Sequence, residues 1–240
     1  MPPYTFVDMA SLQGARFQPA SDRSLLISFG EQIGQDSHER ITRLLHIVKL
    51  EPIPGVHNFH PAYSSLLVIF DTLKLAHFEL EAVLRGYLER TEELQLLEPR
   101  KVEVPVCYGG EYGPDLHDVT VLRGLTADRV VELHSSAEYV VYFLGFVPGF
   151  AYLGELPDEL VTPRLATPRR SVPPGSVGIA GRQTGVYPLA TPGGWRLIGR
   201  TPLAMFRPES GSRLAIGDQV RFVPISGDQF AAMEKEQAKV

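Results

Sequence analysis

Residues 160–208 read LVTPRLATPRRSVPPGSVGIAGRQTGVYPLATPGGWRLIGRTPLAMFRP. Two patterns run through this stretch from Leu160 to Pro208. Glycine and proline recur every few residues, among them Pro173, Pro174, Gly175, Gly178, Gly181, Gly185, Pro192 and Gly193. Short apolar runs broken by such turns point to a closed or nearly closed β-barrel. The second pattern is charge, with seven arginines and no Asp, Glu, Lys or His in 49 residues. The whole chain is acidic, with 28 Asp+Glu against 23 Lys+Arg, and even spacing would put five to six acids here (28 × 49/240). Arginine suits planar, two-pronged contact with carboxylate or phosphate, and Gly/Pro segments expose backbone N–H groups that also bind anions. Solvated surface arginines on barrel turns would give a similar composition. Gln183, Thr184, Tyr187, Thr191 and Trp195 add donors and flat rings, and favour a site for a small anionic ligand.

Outward from this stretch the strand character continues. Val102–Cys107 (VEVPVC) alternates and reads as a strand, Tyr108–Leu116 is turn-rich, and Thr126 with Asp128 caps a short helix bearing Val130, Val131 and Leu133. Further β-like runs are Tyr139–Phe146, Val177–Ala180, Trp195–Gly199, Leu203–Phe206 and Gln219–Pro224. The tail from Gln229 reads as a charged helical end.

The first hundred residues have a different grain. Ser24–Phe29 (SLLISF) and Ser64–Phe70 (SSLLVIF) read as buried strands. Asp36 with Glu39 forms a capping-box signal before Ile41, Leu44, Leu45 and Val48 at helical spacing. Leu80, Leu84, Tyr87 and Leu88 form the apolar face of a second helix ending near Thr91. A small sheet covered by helices on one side follows. The charged stretch Glu89–Lys101 holds the expected boundary, giving a fold class of α+β with an α/β domain over 1–98 and a β-barrel domain over 102–240.

Composition excludes several classes. A net charge of −5 in 240 residues argues against non-specific nucleic-acid binding. A single cysteine, Cys107, cannot form an internal disulfide, and suits a reducing, cytoplasmic setting. MPPYTFVDMA lacks the basic head and apolar run of a signal peptide. Tyr139–Gly154 is too short to span a membrane and is broken by Pro148.

Chemical motifs are sparse. GSVGIAG (175–181) lacks the lysine of a phosphate loop, and Ser176 lacks the G-x-S-x-G frame of a hydrolase nucleophile. Cys107 reads as a small buried thiol. His134 reads as a structural hydrogen-bonding residue, and His57 and His60 as loop or surface histidines with no third metal ligand nearby. Tyr142, Phe143, Phe146, Phe150 and Tyr152 either line a pocket or pack a core. No catalytic residue is assigned, and no metal site.

The blocks SDRSLLISFG (21–30), HPAYSSLLVIFD (60–71), CYGGEYGPDL (107–116), YVVYFLGFVPGFAYLGELP (139–157) and 162–203 together resemble the 5-oxoprolinase B-subunit family. That family is also called allophanate hydrolase subunit 1 or the Kip-type histidine kinase inhibitor family. The resemblance covers nearly the whole chain, with HDVTVLRGL (117–125) the least typical part. It implies a small α/β N-terminal domain and a cyclophilin-like β-barrel. It implies partners: a homologous C-type barrel subunit and a lactam-hydrolysing A-type subunit. With them the complex would convert 5-oxo-L-proline to L-glutamate using ATP and Mg²⁺, the chain alone being inactive. A regulator that docks on a histidine kinase, and an allophanate or urea amidolyase-related subunit, are the alternatives. Under this reading Arg169, Arg182 and Arg200 serve the anionic groups. Gln183, Thr184 and the backbone around Gly175, Ser176 and Gly178 hold the lactam, and Tyr187 and Trp195 pack on its ring.

Overall fold

The computed structural model describes residues 14–30, 34–91 and 98–237. The chain divides into two compact units, Met1–Leu97 and Glu98–Val240. The middle of the boundary stretch, the first ten residues and the last three of the tail lie outside the described residues.

The first unit contains β1 (Arg16–Ser21), β2 (Ser24–Ser28), α1 (Gln35–Leu50), β3 (Val56–Pro61), β4 (Ser65–Phe70) and α2 (His77–Thr91). Its sheet runs β1-β2-β4-β3, antiparallel throughout. Alternation puts Leu25 and Ile27 of β2, and Leu66, Val68 and Phe70 of β4, on one face. That face packs on Ile41, Leu44 and Val48 of α1 and Leu80, Leu84 and Leu88 of α2. The start of α1 differs from the capping-box reading. Gly34 is the N-cap with no side-chain bond, and Asp36 lies inside the first turn, where its charge complements the helix dipole. His57 is the extra residue of an irregularity between Val56 and Asn58, and both it and His60 are exposed.

The second unit adds β5 (Lys101–Tyr108), α3 (Leu116–Arg123), α4 (Ala127–Ser136), β6 (Glu138–Leu144), β7 (Ala151–Gly154), β8 (Arg169–Val172), β9 (Ser176–Ala180), β10 (Gln183–Val186), β11 (Thr191–Gly193), β12 (Arg196–Arg200), β13 (Phe206–Arg207), β14 (Gly211–Ser212), β15 (Gln219–Pro224) and α5 (Gly227–Gln237). Seven strands close a barrel in the order β10-β7-β6-β15-β5-β12-β9. β15 and β5 pair in parallel and the other barrel neighbours antiparallel. This is the mixed α+β class with a cyclophilin-like barrel. Val104, Val106, Val141, Leu153, Val177, Ile179, Ile198 and Phe222 fill the barrel, joined by Leu116 and Val119 of α3 and Val130 and Leu133 of α4. Each such aliphatic side chain contributes about 1.5–3 kcal/mol relative to exposure.

The least typical stretch is helical, and one local expectation fails. HDVTVLRGL forms most of helix α3, which ends on Gly124 in the left-handed region, φ +66°. Its β-branched residues weaken the helical signal, and burial of Leu116 and Val119 supplies what propensity lacks. Leu203–Phe206, expected as a strand, is irregular until Phe206, which opens the short β13.

Candidate functional site

The wall formed by β9, β10 and β12 has two faces. Val177, Ile179, Val186 and Ile198 point into the barrel core. Ala180 and Leu197 alternate to the opposite side and join Phe150, Val172, Tyr187 and Trp195 in a second, smaller cluster. Glycine makes this possible. A Cβ on Gly178 would meet Trp195 at 3.1 Å, and one on Gly185 would meet Phe150 and Trp195 at 3.2 Å. One on Gly193 would stand 2.5 Å from the Tyr187 hydroxyl. Phe150 is the hub, edge-on to Tyr152 at 4.9 Å, Tyr187 at 5.2 Å and Trp195 at 5.4 Å.

Tyr187 and Trp195 are thus buried, 2% and 5% exposed, and they form the floor of a surface rather than the surface itself. Tyr152 is half-buried and stacks on Phe143 at 4.4 Å. Burial raises the Tyr152 pKa, and the nearby positive charge of Arg164 opposes the rise. Burial also raises that of Tyr187, opposed by a backbone hydrogen bond at Trp195 and, more weakly, by Arg164 and Arg169. The positive charge of Arg164 thus acts on both tyrosines of this aromatic floor.

Distant acids answer several of the seven arginines. Arg169 Nη2 donates to Asp115 Oδ1 at 2.6 Å, and the Leu197 N–H donates to Asp115 Oδ2 at 2.7 Å. Asp115 is 5% exposed, and Arg169 Nη1 is buried with no hydrogen-bond partner. Arg196 pairs with Asp118 at 3.2 Å. Arg182 pairs with Glu155 and Asp158, each at 2.7 Å. Arg200 donates to the Pro174 carbonyl at 2.9 Å and lies over Phe230 at 5.8 Å. Arg164 and Arg170 are exposed and have no ion pair among the described residues.

The expected anion-binding set does not converge. Arg200 pairs in register with Ser176 at one end of β9, while Arg182 follows Ala180 at the other. Ser176 and Ala180 are four residue steps apart, about 13 Å at about 3.3 Å per step, and Arg182 lies beyond Ala180 in the turn after Gly181. Arg169 lies elsewhere, opposite Gly193 on the β8–β11 ribbon. Ser176 is buried in the wall, and Gln183 is half-buried beside Gly154 and Ala180.

Thr184 faces inward. Its hydroxyl donates to the Gly178 carbonyl at 3.1 Å, so its oxygen accepts from His134 Nε2–H at 2.9 Å. The other ring nitrogen then accepts from the Tyr108 hydroxyl at 2.7 Å. His134 is fully buried, and burial lowers its pKa to about 3, keeping it neutral. Burial likewise holds the Tyr108 phenol well above its usual range. This chain of hydrogen bonds ties β5, α4, β10 and β9 together and leaves Thr184 no free donor.

Asp115 and Arg164 carry no signal of their own in the sequence. Asp115 lies in the GPD turn, with its partner Arg169 54 residues away. Arg164 belongs to the same arginine run as Arg169, and only its lack of a partner separates it. Among the described residues no group of three or more His, Cys, Asp or Glu side chains is placed to hold a metal ion, and no helix is long and apolar enough to cross a membrane.

The fold and this wall define a class: residues 15–215 match the carboxyltransferase domain, subdomains C and D. The Kluyveromyces lactis urea amidolyase shares the fold, with a TM-score of 0.73 at 20% identity, over 93% of this chain and 15% of that one. Other relatives are more specific. The B subunit of 5-oxoprolinase from Bacillus subtilis strain 168 is 42% identical over 92% of this chain and 97% of its own. That of Escherichia coli O157:H7 is 47% identical over 89% and 97%. The crystal structure of TTHA0988 is 37% identical with a TM-score of 0.76, and this chain, matched over 85%, spans 40% of it. The chain belongs to the 5-oxoprolinase B-subunit family.

Proposed function

We propose that this chain is the B-type component of an ATP-dependent 5-oxoprolinase, acting with C-type and A-type subunits to open 5-oxo-L-proline to L-glutamate. The observation that carries the reading is identity of 42% and 47% to the B subunits of two bacterial 5-oxoprolinases along nearly their full length. The outer face of the wall supports it, since an arginine-rimmed aromatic floor suits a small flat anion.

Opening an unstrained lactam means breaking amide resonance, and phosphorylation of its oxygen by ATP would supply a leaving group. The residues of this chain bind and orient. Arg164, exposed and unpaired, receives the substrate carboxylate. Arg169 is ion-paired with the nearly buried Asp115 and its Nη1 is buried, so it supports the wall rather than receiving the anion. Tyr152, over Phe150, supports the ring. Ser176, Thr184 and the hydrogen bonds of His134 keep the wall in register. Arg182 and Arg200 lie at opposite ends of β9, so at most one of them borders the ligand. GSVGIAG has no phosphate-loop lysine, so this chain is given no role in holding ATP or Mg²⁺ and is inactive alone.

The test is reconstitution. The chain is co-expressed with C-type and A-type subunits, and ATP-dependent glutamate release from 5-oxoproline is measured with each component omitted in turn. Activity only in the full mixture is expected. Equal activity without this chain, or co-purification with a histidine kinase in place of the two subunits, would overturn the reading.

A further inference from the structure

Phe146 is the only non-glycine among the described residues with a left-handed backbone, φ +67°. An aromatic residue is poorly suited to that region, and glycine is the usual occupant. The surrounding turn fixes it there. The Gly145 N–H donates to the Phe150 carbonyl at 3.1 Å, the Val147 N–H to the Gly145 carbonyl at 2.8 Å, and the Phe150 N–H to the Val147 carbonyl at 3.0 Å. Gly149, φ +83°, lies so close to β13 that a Cβ there would stand 2.5 Å from Phe206 Cβ. The turn is pinned, and Phe146 is held up with 58% of its surface exposed.

Its position connects it to the arginine-rimmed face. The Phe146 ring meets Phe150 edge-on at 5.5 Å, and Phe150 is the hub beneath Tyr152, Tyr187 and Trp195. A turn that needs a left-handed residue is built with less strain from glycine, which would also leave no apolar ring in water. Backbone strain and exposed aromatic area at one residue, on the border of a candidate site, together indicate a ring kept for contact. We propose that Phe146 is a specificity-determining residue: its exposed ring, standing against Phe150 beside the half-buried Tyr152, packs on a small flat ring bearing a carboxylate. This rests on the 5-oxoprolinase reading for the identity of the natural ligand.

The experiment uses the reconstituted complex and two readouts. The first is the KM for 5-oxoproline alongside that for ATP. The second is the Kd for pyrrole-2-carboxylate, a flat carboxylate that has no lactam to open. Phe146→Ala removes the ring and keeps the strained backbone, Phe146→Gly relieves the backbone, and Phe146→Trp retains a ring. We expect Phe146→Ala and Phe146→Gly to weaken 5-oxoproline and the probe by roughly three- to tenfold, with the KM for ATP and subunit assembly unchanged and Phe146→Trp close to wild type. Unchanged affinity in Phe146→Ala overturns the proposal, as does wild-type affinity in Phe146→Gly. Loss of assembly on size-exclusion also overturns it, since Phe146 would then be a subunit contact. A wild-type complex that ignores 5-oxoproline sinks the 5-oxoprolinase reading. In that case the probe alone decides on Phe146: ring-dependent probe binding upholds the proposal, and absence of probe binding ends it.

Discussion

Along β9, β10 and β12 the same few residues carry two unlike faces. The inner face is aliphatic, and its one polar insertion, Tyr108–His134–Thr184–Gly178, is a closed sequence of hydrogen bonds. The outer face has glycine and alanine where the inner face has valine and isoleucine, and aromatic rings fill the space they leave. The inner polar groups are consumed by each other, whereas Arg164 and Arg170 have no ion pair among the described residues. A polar residue in this wall is therefore structural if its partners are inside, and available to a ligand if they are not. Substitutions on the two faces should separate stability from activity.

The largest stability effect is expected inside. His134→Ala leaves a cavity, strands the Tyr108 hydroxyl and removes the donor to Thr184, costing about 3–5 kcal/mol. Urea unfolding of the purified chain measures it, and a loss below about 1 kcal/mol would mean the hydrogen-bonded series does not hold the barrel. The same residue sets a pH dependence. Burial lowers its pKa from 6.5 to about 3, so the unfolded chain binds a proton that the folded one excludes. Stability should then fall as pH drops below 6.5, by about 2 kcal/mol at pH 5 relative to neutrality. Burial lowers the pKa of His38 as well, which adds a loss of the same sign. His134→Gln should flatten most of the slope in urea melts at pH 7 and pH 5, and an unchanged slope would assign it elsewhere.

The arginines grade the outer face. Arg169→Met leaves the nearly buried Asp115 carboxylate without its cation and should cost about 1–3 kcal/mol. Arg182→Met breaks exposed, solvent-screened pairs with Glu155 and Asp158 and should cost distinctly less. Thermal melts of both variants side by side make the comparison, and equal losses would contradict the burial argument.

How much of this is legible in the sequence depends on range. Local signals serve well. Gln219–Pro224 is a strand over the expected residues, Thr126 does cap α4, and the apolar periodicity around Leu44 and Leu84 marks α1 and α2. The barrel is legible from Gly/Pro spacing, although for partly mistaken reasons. Gly178, Gly185, Gly193 and Gly199 sit within strands, where they admit neighbouring rings or backbone, not in turns. Pairing of charges is not legible at all. The segment 160–208 holds no acid, yet Asp115, Asp118, Glu155 and Asp158 reach Arg169, Arg196 and Arg182 through the tertiary fold. Composition shows where arginine is concentrated and cannot show which arginine is spare. The strain at Phe146 is equally invisible, since φ is a property of the folded turn.

Arg164→Met in the reconstituted complex tests the central claim, that the outer face binds the substrate, most directly. Arg164 is exposed and pairs with no acid among the described residues, so the melting temperature should stay within about a degree of wild type. The KM for 5-oxoproline should rise by about tenfold, the loss of about 1.4 kcal/mol of binding, while the KM for ATP stays put. An unchanged KM for 5-oxoproline, with the variant folded and assembled, would contradict the account and place the substrate elsewhere on the complex.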